Sequence, residues 1–216
     1  MNDVIAIDGP GGAGKSTIAA LLAEELGYLH LDTGAMYRAV TFAALEKNID
    51  FNDSESLTKV AENINIDFNQ AGEIFIDGRN ISQEIRTQKV NEYVSETASV
   101  KEIREIMVKK QKKIAEENKI VMDGRDITTV VLPDAKYKFY LTASIEERAR
   151  RRYKEMKSKN ISVDIEEIKN NIKERDKKDS QREHSPLKKA DDAVLIDSTD
   201  LSIEEVIEKM KKIIKS

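Results

Sequence analysis

The sequence predicts an α/β fold of about five buried parallel strands covered by helices on both faces, with a small antiparallel β insert. Three observations carry this. Short apolar, β-branched runs alternate with stretches of helical periodicity along most of the chain. The runs are closed by glycine or polar breaks, and one central stretch alternates with period two instead.

Taken in order, the first run is Val4-Ile5-Ala6-Ile7-Asp8, ended by a glycine cluster, after which Ser16 to Leu26 carries apolar residues at helical spacing. Tyr28 to Leu31 is the second strand. Between about residues 60 and 90 the period changes: Ile64-Asn65-Ile66-Asp67-Phe68 and Glu73-Ile74-Phe75-Ile76 alternate, and Asp77-Gly78 is a type I′ hairpin signal leading into Arg79-Asn80-Ile81. That stretch reads as an antiparallel meander inserted into a parallel-sheet protein. Helices are expected from Thr87 to about Ser99 and from Lys101 to Asn118. Ile120-Val121-Met122, Tyr137 to Leu141 and Ala193 to Ile196 complete the strands. A last helix starts near Ser202, with Ile203, Val206, Ile207, Met210, Ile213 and Ile214 on one face, which suits a helix closing the core better than one lying on a membrane.

The bulk numbers bound the function. A chain of 216 residues, 39% hydrophobic and 35% charged, has room for one domain spanning 1–216 with a small appendage. No apolar run approaches the roughly 20 residues of a bilayer span, and the N-terminus lacks a signal-peptide pattern, so a cytoplasmic protein without membrane contact is expected. With no cysteine and two histidines, thiol chemistry and a Cys/His metal cluster are excluded. A net charge of −4 with 5% aromatics argues against a nucleic-acid binder, but leaves room for a locally basic cleft.

Gly9-Pro10-Gly11-Gly12-Ala13-Gly14-Lys15-Ser16 fits G-x-x-x-x-G-K-[ST] and lies between a strand and a helix, the context that makes the pattern a P-loop. Main-chain N–H groups there converge on phosphate oxygens, Lys15 reaches the β- and γ-phosphates, Thr17 the α-phosphate, and the Ser16 hydroxyl can ligate Mg²⁺. ATP binding with Mg²⁺ is therefore expected. Asp123-Gly124-Arg125-Asp126 follows a strand, placing Asp123 at the carboxyl edge where a Walker B acid holds Mg²⁺, here through water. The second Asp-Gly-Arg, at residues 77–79, lies in a hairpin turn and is assigned no function.

A P-loop leaves motors, GTPases and kinases open, so the acceptor side must decide. Asp32-Thr33-Gly34-Ala35-Met36-Tyr37-Arg38 opens a helix at the carboxyl edge, where Arg38 could grip a phosphate or make a surface ion pair. Arg148, Arg151 and Arg152 fall on one face of a helix that Ser144 caps, suiting a mobile lid that neutralises a transferring phosphoryl. Arg175, Asp179 and Arg182 are spaced for one helix face, and an intrahelical salt-bridge ladder explains them equally well.

Together "IAIDGPGGAGKST", "LDTGAMYRA", "EIRTQKV", "DGRDITTVVLPDA", "ERARRR" and "ERDKKDSQREHSPLKKADDA" resemble, in order, the motifs of bacterial cytidylate kinases, P-loop nucleoside monophosphate kinases. The resemblance implies a P-loop NTPase core, a monophosphate-binding region over 32–118 containing the insert, and a lid over 148–160. It implies transfer of the ATP γ-phosphoryl to CMP and dCMP in pyrimidine nucleotide metabolism. Thr33, Tyr37, Arg38, Gly124, Arg125 and Arg182 would surround the acceptor phosphate, Arg175 and Asp179 would meet the ribose, and Ser95, Arg104 and Asp126 would read the base. Lys15, Asp123 and the lid arginines would serve the transfer itself. The chain departs from the family pattern at Thr128, where glycine is usual, which bears on the backbone beside Asp126. A monomer is expected. Other small-molecule P-loop kinases of the shikimate type, and a nucleotide-dependent regulatory switch, are the rival readings; a second, arginine-rich pocket speaks against the switch.

Overall fold

Residues that must bury both faces of a strand pair in parallel, because crossover helices then cover each side. The computed structural model describes residues 4–69, 71–158 and 162–215. In chain order it contains β1 (Val4–Asp8), α1 (Lys15–Leu26), β2 (Leu29–Asp32), α2 (Thr33–Glu46), α3 (Ser54–Asn63), β3 (Ile66–Phe68), β4 (Ile74–Ile76) and β5 (Arg79–Asn80). There follow α4 (Gln88–Thr97), α5 (Lys101–Glu117), β6 (Ile120–Gly124), β7 (Tyr137–Thr142), α6 (Ile145–Ser158), α7 (Ile165–Ser180), β8 (Val194–Asp197) and α8 (Ile203–Ile214).

Five strands form one sheet in the order β2-β6-β1-β7-β8, and every pairing in it is parallel. Alternate residues of β1 feed opposite layers. Val4 and Ala6 join the core under α2, α3 and α5, whereas Ile5 and Ile7 join the core under α1 and α8. All five carboxyl ends point the same way, so the loops after β1, β2, β6, β7 and β8 share one edge, where ligands bind in open α/β sheets.

The insert forms a separate antiparallel sheet, β3-β4-β5. Its hairpin turn has Asp77 at φ 50° and Gly78 at φ 83°, both left-handed as a type I′ turn requires. Ile66, Ile74 and Ile81 are buried in the core beneath α2, so the insert is rooted in the main body. Thr87 caps α4, and a reciprocal Ser202–Glu205 capping box opens α8.

Three expectations need correction. β8 is an edge strand, and Val194 and Leu195 are exposed because no further strand covers them. On α8, Ile203 keeps its place on the apolar face but is 43% exposed at the start of the helix, one turn before that face reaches the core. Arg182 lies beyond α7, which ends at Ser180 with Gln181 as its C-cap. Of the expected lid, residues 148–158 continue α6, and 159–161 lie outside the described residues. Among the described residues no helix is long and apolar enough to cross a membrane.

Candidate active site

The turn after β1 is built for close approach. A Cβ on Gly9, at φ 149°, would fall 1.9 Å from the Leu141 carbonyl oxygen, so β1 can pass β7 into the loop only as glycine. Lys15 opens α1. Its side chain folds back and Nζ donates to the Pro10 carbonyl at 2.9 Å. Burial, helped by the neighbouring Arg125, lowers the Lys15 pKa to about 7.

Asp123, at the end of β6, meets the P-loop. The Ser16 hydroxyl donates to its Oδ2 at 2.8 Å, and His30 Nε2 lies 2.8 Å from its Oδ1. Thr33 Oγ1 donates to the Asp123 carbonyl at 2.8 Å, tying the start of α2 to the same strand end. A side chain at Gly124 would collide with that Thr33 oxygen. The Ser16 hydroxyl and the Asp123 carboxylate are hard oxygen donors side by side at a helix start, a set that fits Mg²⁺ completed by water and phosphate oxygens.

Beyond the P-loop four arginines, Arg38, Arg125, Arg175 and Arg182, converge on the cleft. Arg125 Nε donates to Asp179 Oδ2 at 2.9 Å, and Arg182 donates to Asp179 Oδ1. Arg175 Nε is buried without a partner. Burial lowers the Arg38 pKa against the pull of Asp32, and burial lowers that of Arg175 to about 10, with Arg125 and Arg38 adding to it. One carboxylate thus holds two of four cations, which leaves the space between them strongly attractive to an anion. Of the Arg175–Asp179–Arg182 ladder the Asp179–Arg182 pair forms, and Asp179 takes Arg125 from the β6 loop as its second partner.

The far end of the cleft is a buried Arg104–Asp126 pair. Arg104 also donates to the Ala98 carbonyl at 3.1 Å and lies 5.3 Å from the centroid of the Tyr37 ring. Burial raises the Tyr37 hydroxyl pKa to about 12, with Arg104 opposing it. Ser95 lines the same end.

Two lid arginines already reach the P-loop. Arg148 donates to the Gly11 carbonyl at 3.0 Å and to Asp176 at 2.7 Å; Arg151 donates to the Ala13 carbonyl at 3.2 Å and to the Ser198 carbonyl at 2.7 Å. Arg152 lines the cleft from its exposed rim, paired with Glu155. A single cleft of about 990 Å³ joins the P-loop, lid, arginine cluster and Arg104–Asp126 end.

The three residues missed in the sequence are Asp8, His30 and Ser198. Asp8 is wholly buried and accepts from Ile127 N at 2.9 Å, Thr128 N at 2.7 Å and Thr128 Oγ1 at 2.6 Å. Burial raises its pKa against these bonds. The departure at Thr128 is therefore absorbed as a side-chain bond to the residue preceding the P-loop. The position of Asp8, immediately before the glycine cluster, was the one available signal; His30 and Ser198 carry none.

Comparison with known proteins now decides the family, since a family model described as cytidylate kinase matches residues 5–216. The chain belongs to the cytidylate kinase family. It is 53% identical over 212 residues to the cytidylate kinase of Caldanaerobacter subterraneus subsp. tengcongensis, covering 98% of this chain and 94% of that one. It is 52% identical to the cytidylate kinase of Alkaliphilus oremlandii, covering 98% and 97% of the two chains. Among solved structures, a shikimate kinase from Bacteroides thetaiotaomicron shares the fold with a TM-score of 0.50 at 13% identity, covering 99% of this chain and 98% of that one. Cytidylate kinase membership and the P-loop kinase fold thus agree with the geometry of the cleft.

Proposed function

We propose that this chain transfers the γ-phosphoryl of ATP to CMP, and to dCMP, with Mg²⁺. The observation that carries the reading is one cleft with a P-loop at one end and an arginine cluster leading to the Arg104–Asp126 pair at the other. Donor and acceptor phosphates meet between them.

The attacking oxygen belongs to a phosphate ionised at neutral pH, so the chain needs no base; it aligns and neutralises. Lys15 holds the β- and γ-phosphates, and the P-loop from Gly9 to Ser16, through its N–H groups other than at Pro10, holds the rest together with Thr17. Ser16 and, through water, Asp123 would hold Mg²⁺, which would supply charge neutralisation to the phosphates. Arg38, Arg125, Arg175 and Arg182 grip the acceptor phosphate, with Thr33, Tyr37 and Gly124 shaping its seat. Asp179 and Arg175 reach the ribose. Arg148, Arg151 and Arg152 close over the transferring group and exclude water.

For the base, Asp126 accepts from the cytosine N4 amine, while Arg104 and Ser95 donate toward O2 and N3. Uracil would set O4 against the carboxylate. A buried mismatch of that kind costs on the order of 1 to 3 kcal/mol, or roughly tenfold to a hundredfold in efficiency. The reading includes a cytoplasmic monomer, because both substrates are soluble nucleotides and residues of one chain line the whole cleft. The monophosphate region over 32–118 and the lid over 148–160 are parts of one domain.

The test is a coupled assay with ATP against a panel of nucleoside monophosphates. CMP and dCMP should lead and UMP should trail; equal rates with AMP or GMP would overturn the acceptor assignment.

A further inference from the structure

We propose that His30 is a positioning residue for Asp123, fixing the carboxylate in the orientation that the Ser16 hydroxyl and the metal require. This rests on the assignment of Asp123 to Mg²⁺ in the proposed function. His30 stands on β2, the strand beside β6, and its Nε2 lies 2.8 Å from Asp123 Oδ1. Ser16 takes the other oxygen, Oδ2, at 2.8 Å. A carboxylate only accepts, so the proton of a neutral ring is on Nε2 and is donated to Oδ1.

The imidazole is itself held. The His30 side chain is 14% exposed and that of Asp123 3%. On its far side Gly72, from the insert, lies beside the ring: a Cβ added there would sit 3.5 Å from Nδ1. The ring is thus placed between the insert and the metal acid, as the outer partner of a ligating carboxylate should be. With Oδ1 occupied, rotation of the carboxylate about its Cβ–Cγ bond is opposed, and Oδ2 stays toward Ser16. Without that bond the acid could turn and present either oxygen, and each turn would loosen the water-mediated grip on the cation.

Two substitutions separate the hydrogen bond from the ring. His30→Phe keeps a planar ring and removes the donor; His30→Gln removes the ring and keeps an N–H donor at similar reach. Both are checked by melting. The first readout is the factor by which Mg²⁺ strengthens ATP binding, measured by calorimetry in the presence and absence of the metal. The second is the Mg²⁺ concentration giving half-maximal velocity, read with KM for CMP. His30→Phe should lower the binding factor by about tenfold, the low end of what losing an outer partner costs a metal site. It should raise the Mg²⁺ requirement while leaving KM for CMP unchanged, and His30→Gln should restore most of both.

Phe equal to the unaltered chain, beside an intact Mg²⁺ effect, overturns the proposal alone. Equal loss in both variants overturns it, since a donor kept at that reach would then not be enough; loss in His30→Gln alone overturns it in favour of ring shape. An unaltered chain whose ATP affinity ignores Mg²⁺ overturns the metal assignment and the proposal with it. A further measurement needs neither metal nor variant: nitrogen-15 spectra of the free chain should show a proton on His30 Nε2, and a ring with its proton on Nδ1 alone would sink the hydrogen bond itself.

Discussion

Lys15 is buried beside Arg125 and Arg175, and with its pKa lowered to about 7 it releases a proton where the unfolded chain still holds one. The sign follows. Between pH 7 and the ordinary lysine value of 10.5 the unfolded state binds more protons, so this group's burden on the fold is full below pH 7 and fades as pH rises. Lys15→Met should therefore abolish phosphoryl transfer yet raise the melting temperature of the free chain at pH 6 to 7 by several degrees, the gain shrinking toward pH 10. Scanning calorimetry across pH decides it; a variant that melts lower at pH 6.5 counts against the reading. Asp126→Asn keeps size but offers an amide that can donate to O4, so kcat/KM for CMP should fall and the CMP to UMP ratio narrow. Asp126 pairs with Arg104, and Arg125 has its own partner in Asp179. An unchanged ratio would discard base readout. Thr128→Val should cost about 1 to 3 kcal/mol, the loss of a buried bond to the Asp8 carboxyl, with denaturant melts as the measure.

Which of these residues could be read in advance depends on where their partners lie. The P-loop and Asp123 were legible because strand, turn and helix sit side by side in sequence. His30 and Asp8 were not: their partners are 93 and 120 positions away, and only strand order brings them together.

At the scale of the element, α6 carries the proposed lid arginines, and they are unequally engaged. Arg148 binds a P-loop carbonyl and Asp176, so it would serve the free fold as well as the proposed transfer, whereas Arg152 pairs with Glu155 at the exposed rim of the cleft. Arg148→Ala should lower both melting temperature and turnover. Arg152→Ala should leave melting unchanged, within the small range typical of exposed pairs, and lower kcat alone. Equal melting losses would mean that the lid arginines are all structural. The hairpin of the insert was legible because Asp77-Gly78 dictates its own turn. The end of α7 was not, since the charge spacing runs on through Arg182 after the backbone has left the helix at Ser180. The edge position of β8 was likewise hidden, because an apolar strand reads alike at the edge and in the middle of a sheet until the order of strands is known.

Across the whole molecule, the arginine cluster means that the free protein carries unbalanced positive charge in its centre, and an anion that binds there stabilises the folded state by mass action. CMP should raise the melting temperature well above what cytidine does at equal concentration, and the difference should shrink in high salt. Equal effects would show that the cluster does not seat the phosphate.

The strand order has a consequence for synthesis. β1 lies in the middle of the sheet with β6 and β7 as its only partners, and Val4 is matched with Ile120. A nascent chain therefore carries its first apolar strand unpaired until more than half of the protein has left the ribosome, a long interval for pairing that is slow even in the finished chain. The meander, whose pairings span few residues, has no such wait. Ribosome-bound fragments ending before residue 120 should leave the segment from Val4 to Asp8 open to proteolysis and to capture by a chaperone, and fragments extending past β7 should protect it.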